Sequence, residues 1–252
     1  MTHPRDCHRD RLPPALRRCF RPLPPDPAIE AFVAHARPHG ALRAALHGQL
    51  RRVVSDFDAD GLLGTHPMAL LGEASWEALL GRGGRLLDVG AGSGDVTAHA
   101  RALFDEIVTT ETSRAMGRRL RRRGFRCHRV DLSRDTLPAE GAPFDAVALL
   151  NVLDRCDRPR SLLRAARAAL GPGGRLLLSV PLPARPHVDR GGATVDPDEP
   201  MAGYGETWEE ALVDLCEGLL GELEIERIAR APYLSVGARL HALDAALVVA
   251  RG

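Results

Sequence analysis

From about residue 81 onward, short apolar runs alternate with longer segments of helical periodicity. Seven of these runs have the length and composition of β-strands, and most of the segments between them are long enough to hold a helix. Strands that alternate with helices form a largely parallel sheet with helices on its faces, so the pattern predicts an α/β fold. The predicted strands are residues 86–89, 106–110, 125–130, 146–150, 175–180, 223–228 and 246–250.

The first 80 residues show a different pattern. Residues 1–25 are rich in arginine and proline, a composition that predicts a disordered tail. Asp26 followed by Pro27 is a typical helix start, and apolar residues at helical spacing predict a second helix over residues 41–54. We therefore expect a disordered tail over residues 1–25, a helical cap over residues 26–80 and a sheet domain over residues 81–252.

The first predicted strand leads into the glycine-rich sequence DVGAGSG, which begins at Asp88. Gly90, Gly92 and Gly94 allow the backbone to approach a ligand closely, and the residues after them predict a helix whose N-terminal N–H groups face that ligand. The dinucleotide fingerprint G-x-G-x-x-G requires a glycine where this chain has Asp95. The acid Asp88 also favours a cationic ligand over a pyrophosphate. The loop resembles the first motif of the seven-strand S-adenosylmethionine-dependent methyltransferases, whose cofactor carries an ammonium and a sulfonium group.

Polar residues lie at the carboxyl ends of the first four predicted strands: Asp88, Glu111, Asp131 and Asn151. In α/β sheets, ligands bind beyond the carboxyl ends of the strands, so we expect these four side chains to share one site. Glu111 lies about 20 residues past the glycine loop, where an acid bonds the ribose hydroxyls of a nucleoside cofactor. Asp131 is a candidate for the adenine amino group. Asp154 follows Asn151 by one helical turn and is a candidate for the chemistry.

Composition limits the classes of partner. The formal net charge is +1, which gives no reason to expect nucleic acid, and all 34 basic residues are arginine, so single arginines carry little information. The five cysteines form no C-x-x-C pair, so we expect no disulfide framework, no metal site and a reducing compartment. No signal peptide and no apolar run of about 20 residues is visible, so we expect an intracellular protein without stable membrane insertion. Endomembrane or mitochondrial association stays open.

Four stretches of the sequence carry a family resemblance: LNVLDRCDRP from Leu150, residues 186–192, TWEE from Thr207 and APYL from Ala231. They resemble the DREV-type protein-histidine methyltransferases, and the resemblance extends over about residues 58–249. This family methylates the N-pros nitrogen of histidine in His-x-His motifs whose middle residue is small. The resemblance implies a seven-strand, Rossmann-like, class I S-adenosylmethionine-dependent methyltransferase sheet with an N-terminal helical cap. It also implies S-adenosyl-L-methionine as cofactor and His-x-His proteins or peptides as substrates, and we expect a monomer.

The resemblance also implies roles for single residues. Glu111, Asn151 and Tyr233 match the family's cofactor contacts, and Asn151 and Asp154 would face the target imidazole as the catalytic pair. The chain departs from the family pattern between Tyr233 and Leu243, where the tract is shorter and lacks the expected tyrosines, and around Gly192, where a tryptophan is missing. Both departures lie where a peptide would bind. The complete predicted cofactor set is Asp88, Gly90, Gly92, Gly94, Glu111, Asp131, Asn151 and Tyr233.

Three alternative functions stay open. A small-molecule methyltransferase would share the same fold and glycine loop. A catalytically silent, cofactor-binding scaffold is favoured by the altered tract after Tyr233. A nucleic-acid methyltransferase is disfavoured, because enzymes that methylate nucleobase amines commonly carry [DN]-P-P-[YF] where this chain has the sequence NVLD from Asn151.

Overall fold

The computed structural model describes residues 6–37, 41–50, 56–64, 67–138, 143–190, 193–237 and 239–251. Within these ranges the strands are β1 (Met68–Ala69), β2 (Arg85–Val89), β3 (Glu106–Thr110), β4 (Arg126–His128), β5 (Phe144–Leu150), β6 (Leu170–Pro181), β7 (Val188–Arg190), β8 (Ala193–Val195), β9 (Glu224–Val236) and β10 (Leu240–Arg251). The α-helices there are α1 (Pro14–Cys19), α2 (Pro27–His35), α3 (Ala41–Leu50), α4 (Asp56–Leu63), α5 (Glu73–Leu80), α6 (Arg114–Arg122), α7 (Pro159–Ala168) and α8 (Trp208–Asp214).

The described strands other than β7 and β8 form one sheet in the order β4-β3-β2-β5-β6-β10-β9-β1. Strands β2 to β6 run parallel, and β10 lies antiparallel between β6 and β9. All seven predicted strands are present, as β2 to β6, β9 and β10, so the predicted α/β fold is confirmed. The strand order reverses between β2 and β5, and this switch point is where α/β sheets bind ligands.

The sheet is buried on both faces, which explains why its strands read as continuous apolar runs. Along β5, Val147 and Leu149 belong to the hydrophobic cluster on one face, whereas Ala146 and Ala148 belong to the cluster on the other. Helices α7 and α8 pack on the first face, and α5 packs on the second through the fully buried Trp76. Helices therefore cover both faces of the sheet. The sheet is open to a ligand beyond the ends of its strands.

Residues 6–25 form an ordered strap, and the predicted disorder is wrong for them. Leu12, Leu16 and Phe20 recur every four residues and are buried in the same cluster as α8. The ring of Phe20 meets that of Trp208 edge-on, with centroids 6.3 Å apart. The N–H of Arg21 donates to the Ile228 carbonyl of β9 at 2.8 Å. These apolar contacts outweigh the polar composition that favoured disorder.

Replacing Phe20 with alanine tests the strap. Its side chain is 0% exposed, and large-to-small changes at such sites cost about 3–5 kcal/mol of unfolding free energy. We expect Phe20→Ala to lower the urea midpoint clearly, whereas Arg18→Ala, at an exposed position of the same helix, leaves it unchanged. Equal midpoints for both variants would show that the strap contributes nothing to the fold.

The predicted helical cap contains α2, α3, α4 and α5. Helix α3 covers residues 41–50, and residues 51–54 of the predicted helix lie outside the described residues. Asp58 on α4 accepts a hydrogen bond from the Ser113 hydroxyl at 2.5 Å, which joins the cap to the start of α6. The division into a cap and a sheet domain at residue 80 stays a prediction.

Candidate active site

The glycine loop turns sharply at the end of β2. Gly90, Gly92 and Gly94 have φ angles of +68°, +57° and +78°, in the left-handed region that favours glycine. The Gly92 N–H donates to the Glu111 carboxylate at 2.9 Å. A Cβ at position 90 would lie 2.9 Å from a methyl group of Val152. The loop is therefore enclosed between the residues that follow β3 and those that follow β5.

The long helix predicted after this loop is absent. Residues from Asp95 form turns and one short 3-10 helix, Thr97–Ala100. The Val96 carbonyl accepts from the Trp76 indole at 3.2 Å and from the N–H of His99, three residues on, at 3.2 Å. This second bond is the 3-10 pattern rather than the α-helical one. The predicted helix is therefore wrong, since these residues form only the short 3-10 helix, whose start is tied to α5 by the indole hydrogen bond.

Two of the predicted acids are buried beside the loop. Asp88 is 2% exposed and accepts from the Thr97 hydroxyl at 2.6 Å. Burial, together with the nearby Glu111 carboxylate, raises the pKa of Asp88 to about 7 against the opposing effect of the Thr97 hydrogen bond. Glu111 is 8% exposed and also accepts from the N–H of Ser113 at 2.9 Å; burial raises its pKa as well. Two adjacent buried carboxylates favour a ligand that carries positive charge.

Asp131 occupies a less buried position. Strand β4 ends at His128 rather than at residue 130, so Asp131 lies in the loop beyond it. Its carboxylate accepts from the N–H and the hydroxyl of Ser133, at 3.0 and 2.7 Å, and closes a turn. The side chain is 38% exposed. The structure places Asp131 at the same edge of the sheet as Asp88 and Glu111, with its carboxylate engaged in local hydrogen bonds.

Asn151 follows β5 directly and has an unusual backbone. Among the non-glycine residues that the structure describes, it alone has a positive φ, +54°. Asparagine tolerates this conformation better than most residues. Its N–H donates to the Ser179 carbonyl at 3.0 Å, and the Ser179 hydroxyl donates to its side-chain oxygen at 2.5 Å. This pairing fixes the amide and leaves its NH₂ group as the end that can donate to a ligand.

Asp154 lies in the 3-10 helix Leu153–Arg155 and is 2% exposed. Its Oδ2 accepts from Nε of Arg155 at 3.0 Å. Its Oδ1 is buried and has no hydrogen-bond partner within the part of the chain that the structure describes. Burial raises the pKa of this carboxyl, and the Arg155 charge opposes the rise. A buried carboxylate oxygen without a hydrogen-bond partner costs free energy, so Oδ1 is suited to accept a hydrogen bond from a ligand.

Tyr233 of β9 closes the same site from the other side. Its hydroxyl donates to the sulfur of Met68 at 2.9 Å, and burial raises its pKa to about 12. Among charged groups, Arg155 lowers the pKa of Tyr233, and Asp154 and Asp60 raise it. A Cβ at Gly92 would lie 3.6 Å from the Met68 methyl group. Met68 thus joins Tyr233 to the glycine loop.

The tract after Tyr233 is the hairpin of β9 and β10. Tyr233 pairs with Leu243 and Ser235 pairs with His241 across this hairpin. Leu243 is 46% exposed, so the hairpin presents an apolar side chain to solvent beside the site. The other departure from the family pattern, around Gly192, lies outside the described residues.

Sequence reasoning missed three residues of the site: Met68, Arg155 and Ser179. Ser179 is fully buried, and a lone serine within the apolar sequence LLLSVP was a usable signal. Arg155 was discounted because arginine is abundant throughout the chain. Met68 carries no local signal, because its role depends on the pairing of β1 with β9.

A cavity of about 320 Å³ lies at the opposite, amino-terminal edge of the strands. None of the predicted site residues lines it, so it is separate from the candidate active site. Its walls include Arg82, Phe104, Asp145, Pro172 and Arg175.

The residues present fit S-adenosylmethionine. The site combines two buried carboxylates suited to a cation, a backbone turn with left-handed glycines and one buried oxygen without a partner among the described residues.

Across the described residues, no helix is both long and apolar enough to cross a membrane.

Solved structures similar to this chain share its fold. One, from work on the conversion of a disulfide bond into a thioacetal group during echinomycin biosynthesis, is 20% identical with a TM-score of 0.53, covering 75% of this chain and 82% of its own. A putative methyltransferase from Bacillus halodurans C-125 is 12% identical with a TM-score of 0.51, covering 71% of this chain and 97% of its own.

Curated relatives match only part of the chain. A ubiquinone biosynthesis O-methyltransferase of Xylella fastidiosa (strain 9a5c) is 28% identical over 102 residues, which is 38% of this chain and 42% of that protein. Another, from Xanthomonas axonopodis pv. citri, is 27% identical over 132 residues, 49% of this chain and 54% of its own. The chain thus spans about half or less of the length of these relatives. The model of the DREV methyltransferases, in contrast, matches residues 6–249. The chain therefore belongs to the DREV methyltransferase family, and its cofactor is S-adenosylmethionine.

Proposed function

We propose that this protein methylates the N-pros nitrogen of histidine in His-x-His motifs of protein substrates. The observation that carries the proposal is the buried Asp154 carboxylate, whose Oδ1 lacks a partner among the described residues. A neutral imidazole needs an acceptor of this kind for its second nitrogen, which still carries a proton when the first is the nucleophile. Membership of the DREV family supports the same substrate.

In this proposal the residues at the carboxyl edge of β2, β3 and β5 would hold the cofactor. Glu111 would accept from the ribose hydroxyls, Asp131 would accept from the adenine amino group, and Asp88 would contribute negative charge for the cationic groups. The three loop glycines, Asn151 and Tyr233 complete the cofactor set. S-adenosylmethionine supplies an electrophilic methyl group on its sulfonium when bound.

The chain has little chemistry to perform beyond orientation. Imidazole has a reference pKa of about 6.5, so at neutral pH most of it already has a free nucleophilic lone pair. Asp154 accepts the N-tele–H, which fixes the tautomer with the lone pair on N-pros. As the N-pros–methyl bond forms and the sulfur–methyl bond breaks, positive charge develops on the ring, and the carboxylate stabilises it. Asn151 orients the ring, and the N-tele proton leaves by way of Asp154.

The direct test is incubation of the protein and S-adenosylmethionine with a peptide containing His-Ala-His, followed by mass spectrometry. We expect a gain of one methyl group, absent from a matched peptide in which both histidines are glutamine. Hydrolysis and chromatography against both methylhistidine standards should show the N-pros isomer. An N-tele product, or an unmodified peptide in the presence of bound cofactor, would contradict the proposal.

A second candidate is a small-molecule O-methyltransferase, favoured by the partial similarity to ubiquinone biosynthesis O-methyltransferases. Hydroxylated aromatic acceptors tested with labelled cofactor separate this function from the first. Cofactor binding without transfer to either class of acceptor would instead support a silent scaffold.

Cofactor affinity should depend on pH through Asp88. Its pKa is raised to about 7 in the free protein, and a bound cation favours the ionised carboxylate, so below that pH binding must release a proton. We expect the Kd to fall as pH rises from about 6 to about 7.5, by up to about tenfold per pH unit. Calorimetry in buffers of different ionisation enthalpy would count the released proton. Asp88→Asn should remove the dependence; a wild-type Kd that is constant over this range would refute it.

A further inference from the structure

Arg155 connects the catalytic acid to the loop that follows β6. Its Nε donates to Oδ2 of Asp154 at 3.0 Å, and its Nη1 contacts Nε2 of the His187 ring. The backbone also joins these segments, because the N–H of His187 donates to the Asp154 carbonyl at 3.0 Å. The guanidinium thus lies between the carboxylate and the imidazole.

The ring of His187 holds Arg155 from the side opposite Asp154. Nη1 of Arg155 contacts both ring nitrogens and lies 3.1 Å from Nδ1. Nδ1 also lies 3.0 Å from the Arg185 carbonyl, which ties the ring to its own loop. The guanidinium is therefore fixed by contacts on two sides.

We propose that Arg155 is a positioning residue, which fixes the Asp154 carboxylate through Oδ2, keeps it ionised and leaves Oδ1 free to accept the N–H of the acceptor. The inference rests on the proposed function for the identity of that acceptor. The guanidinium of Arg155 contacts only Oδ2 of Asp154, and this one-point contact leaves Oδ1 available. A bidentate contact would have occupied both carboxylate oxygens.

The charged groups around Asp154 support the same role for Arg155. Arg155 beside it and His187 from the loop after β6 act on Asp154, and Asp154 in turn acts on Tyr233 of β9 and on the neighbouring Cys156. Burial raises the pKa of Asp154, and Arg155 is the first cause that opposes it. Without the guanidinium the carboxyl would hold its proton to higher pH, and a protonated carboxyl is a poorer acceptor for an imidazole N–H.

The first experiment needs no substrate. Asp154 can be followed by carbon NMR in protein with ¹³C-labelled aspartate, its signal assigned by its loss in Asp154→Asn. We expect Arg155→Gln to move the Asp154 titration to higher pH by about one unit or more, whereas Arg158→Gln, a matched change on the same loop whose partner is Glu199, leaves it in place. An unmoved titration in Arg155→Gln overturns the inference.

The second experiment follows methyl transfer to the His-Ala-His peptide against pH. In Arg155→Gln, the rise of kcat with pH should move to higher pH by the same interval as the Asp154 titration, so that kcat recovers as pH rises, with the Kd of the cofactor unchanged. Arg155→Lys, which keeps the charge, should restore part of kcat. A loss of kcat that is equal at every pH, or a parallel loss of cofactor affinity, would indicate a merely structural role and overturn the inference. If the wild-type protein methylates no such peptide, the proposed function fails, and the titration still decides the role of Arg155.

Discussion

Asp154→Asn is expected to lower kcat for methyl transfer by about 10²–10³-fold, with the Kd for S-adenosylmethionine unchanged. Asparagine keeps the size of the side chain, so the substitution removes charge without opening a cavity. Its amide can still accept one hydrogen bond, but it cannot balance the positive charge that develops on the acceptor ring. The effect should appear in kcat because that charge exists only as the methyl group transfers.

Single-turnover transfer to the His-Ala-His peptide, with the cofactor affinity measured separately by calorimetry, tests this expectation. Asp157→Asn is the matched control, since Asp157 lies three residues further along the same segment and pairs with Arg134 at 3.1 Å. The control should keep wild-type kcat. Normal turnover by Asp154→Asn would remove Asp154 from the mechanism and, with it, the main structural support for a histidine acceptor.

The sheet could be predicted from the sequence because its determinants are local. Each strand buried on both faces appears as an apolar run, and the polar residue that ends it marks the carboxyl edge. Parallel strands bring such ends together whatever the helices do, so the sequence alone predicts that Asp88, Glu111 and Asn151 lie at one edge. Tyr233 could not be found in this way, since it lies within β9 and only the family resemblance singled it out.

The remaining features depend on contacts between distant segments. The apolar spacing of Leu12, Leu16 and Phe20 is visible in the sequence, but its meaning requires the surface that α8 and β9 provide. In the same way, the 3-10 helix after the glycine loop is held by a hydrogen bond from Trp76, about 20 residues earlier. Composition gives a wrong indication in two places. It favours disorder in the strap, and the abundance of arginine gives no reason to single out Arg155.

Glu111→Gln is expected to raise the Kd for S-adenosylmethionine by about 10–100-fold, because hydrogen bonds to a charged group contribute about 1.5–3 kcal/mol. The carboxylate already accepts from the N–H groups of Gly92 and Ser113, so it is fixed where a ribose would meet it. The amide keeps the volume but can accept through only one atom. Glu106→Gln is the control. Glu106 begins β3, the strand that Glu111 follows, and it pairs with Arg85 at 2.7 Å at the opposite edge of the sheet.

Comparison of two ligands identifies what Glu111 recognises. S-adenosylhomocysteine has the same ribose but lacks the sulfonium charge, so a contact to the ribose hydroxyls predicts an equal loss of affinity for both ligands. A role based on charge alone predicts a larger loss for S-adenosylmethionine. Calorimetric titration of Glu111→Gln with each ligand separates the two, after thermal denaturation has shown that the variant keeps its fold. An unchanged Kd for both ligands would place the ribose elsewhere and contradict the proposed cofactor site.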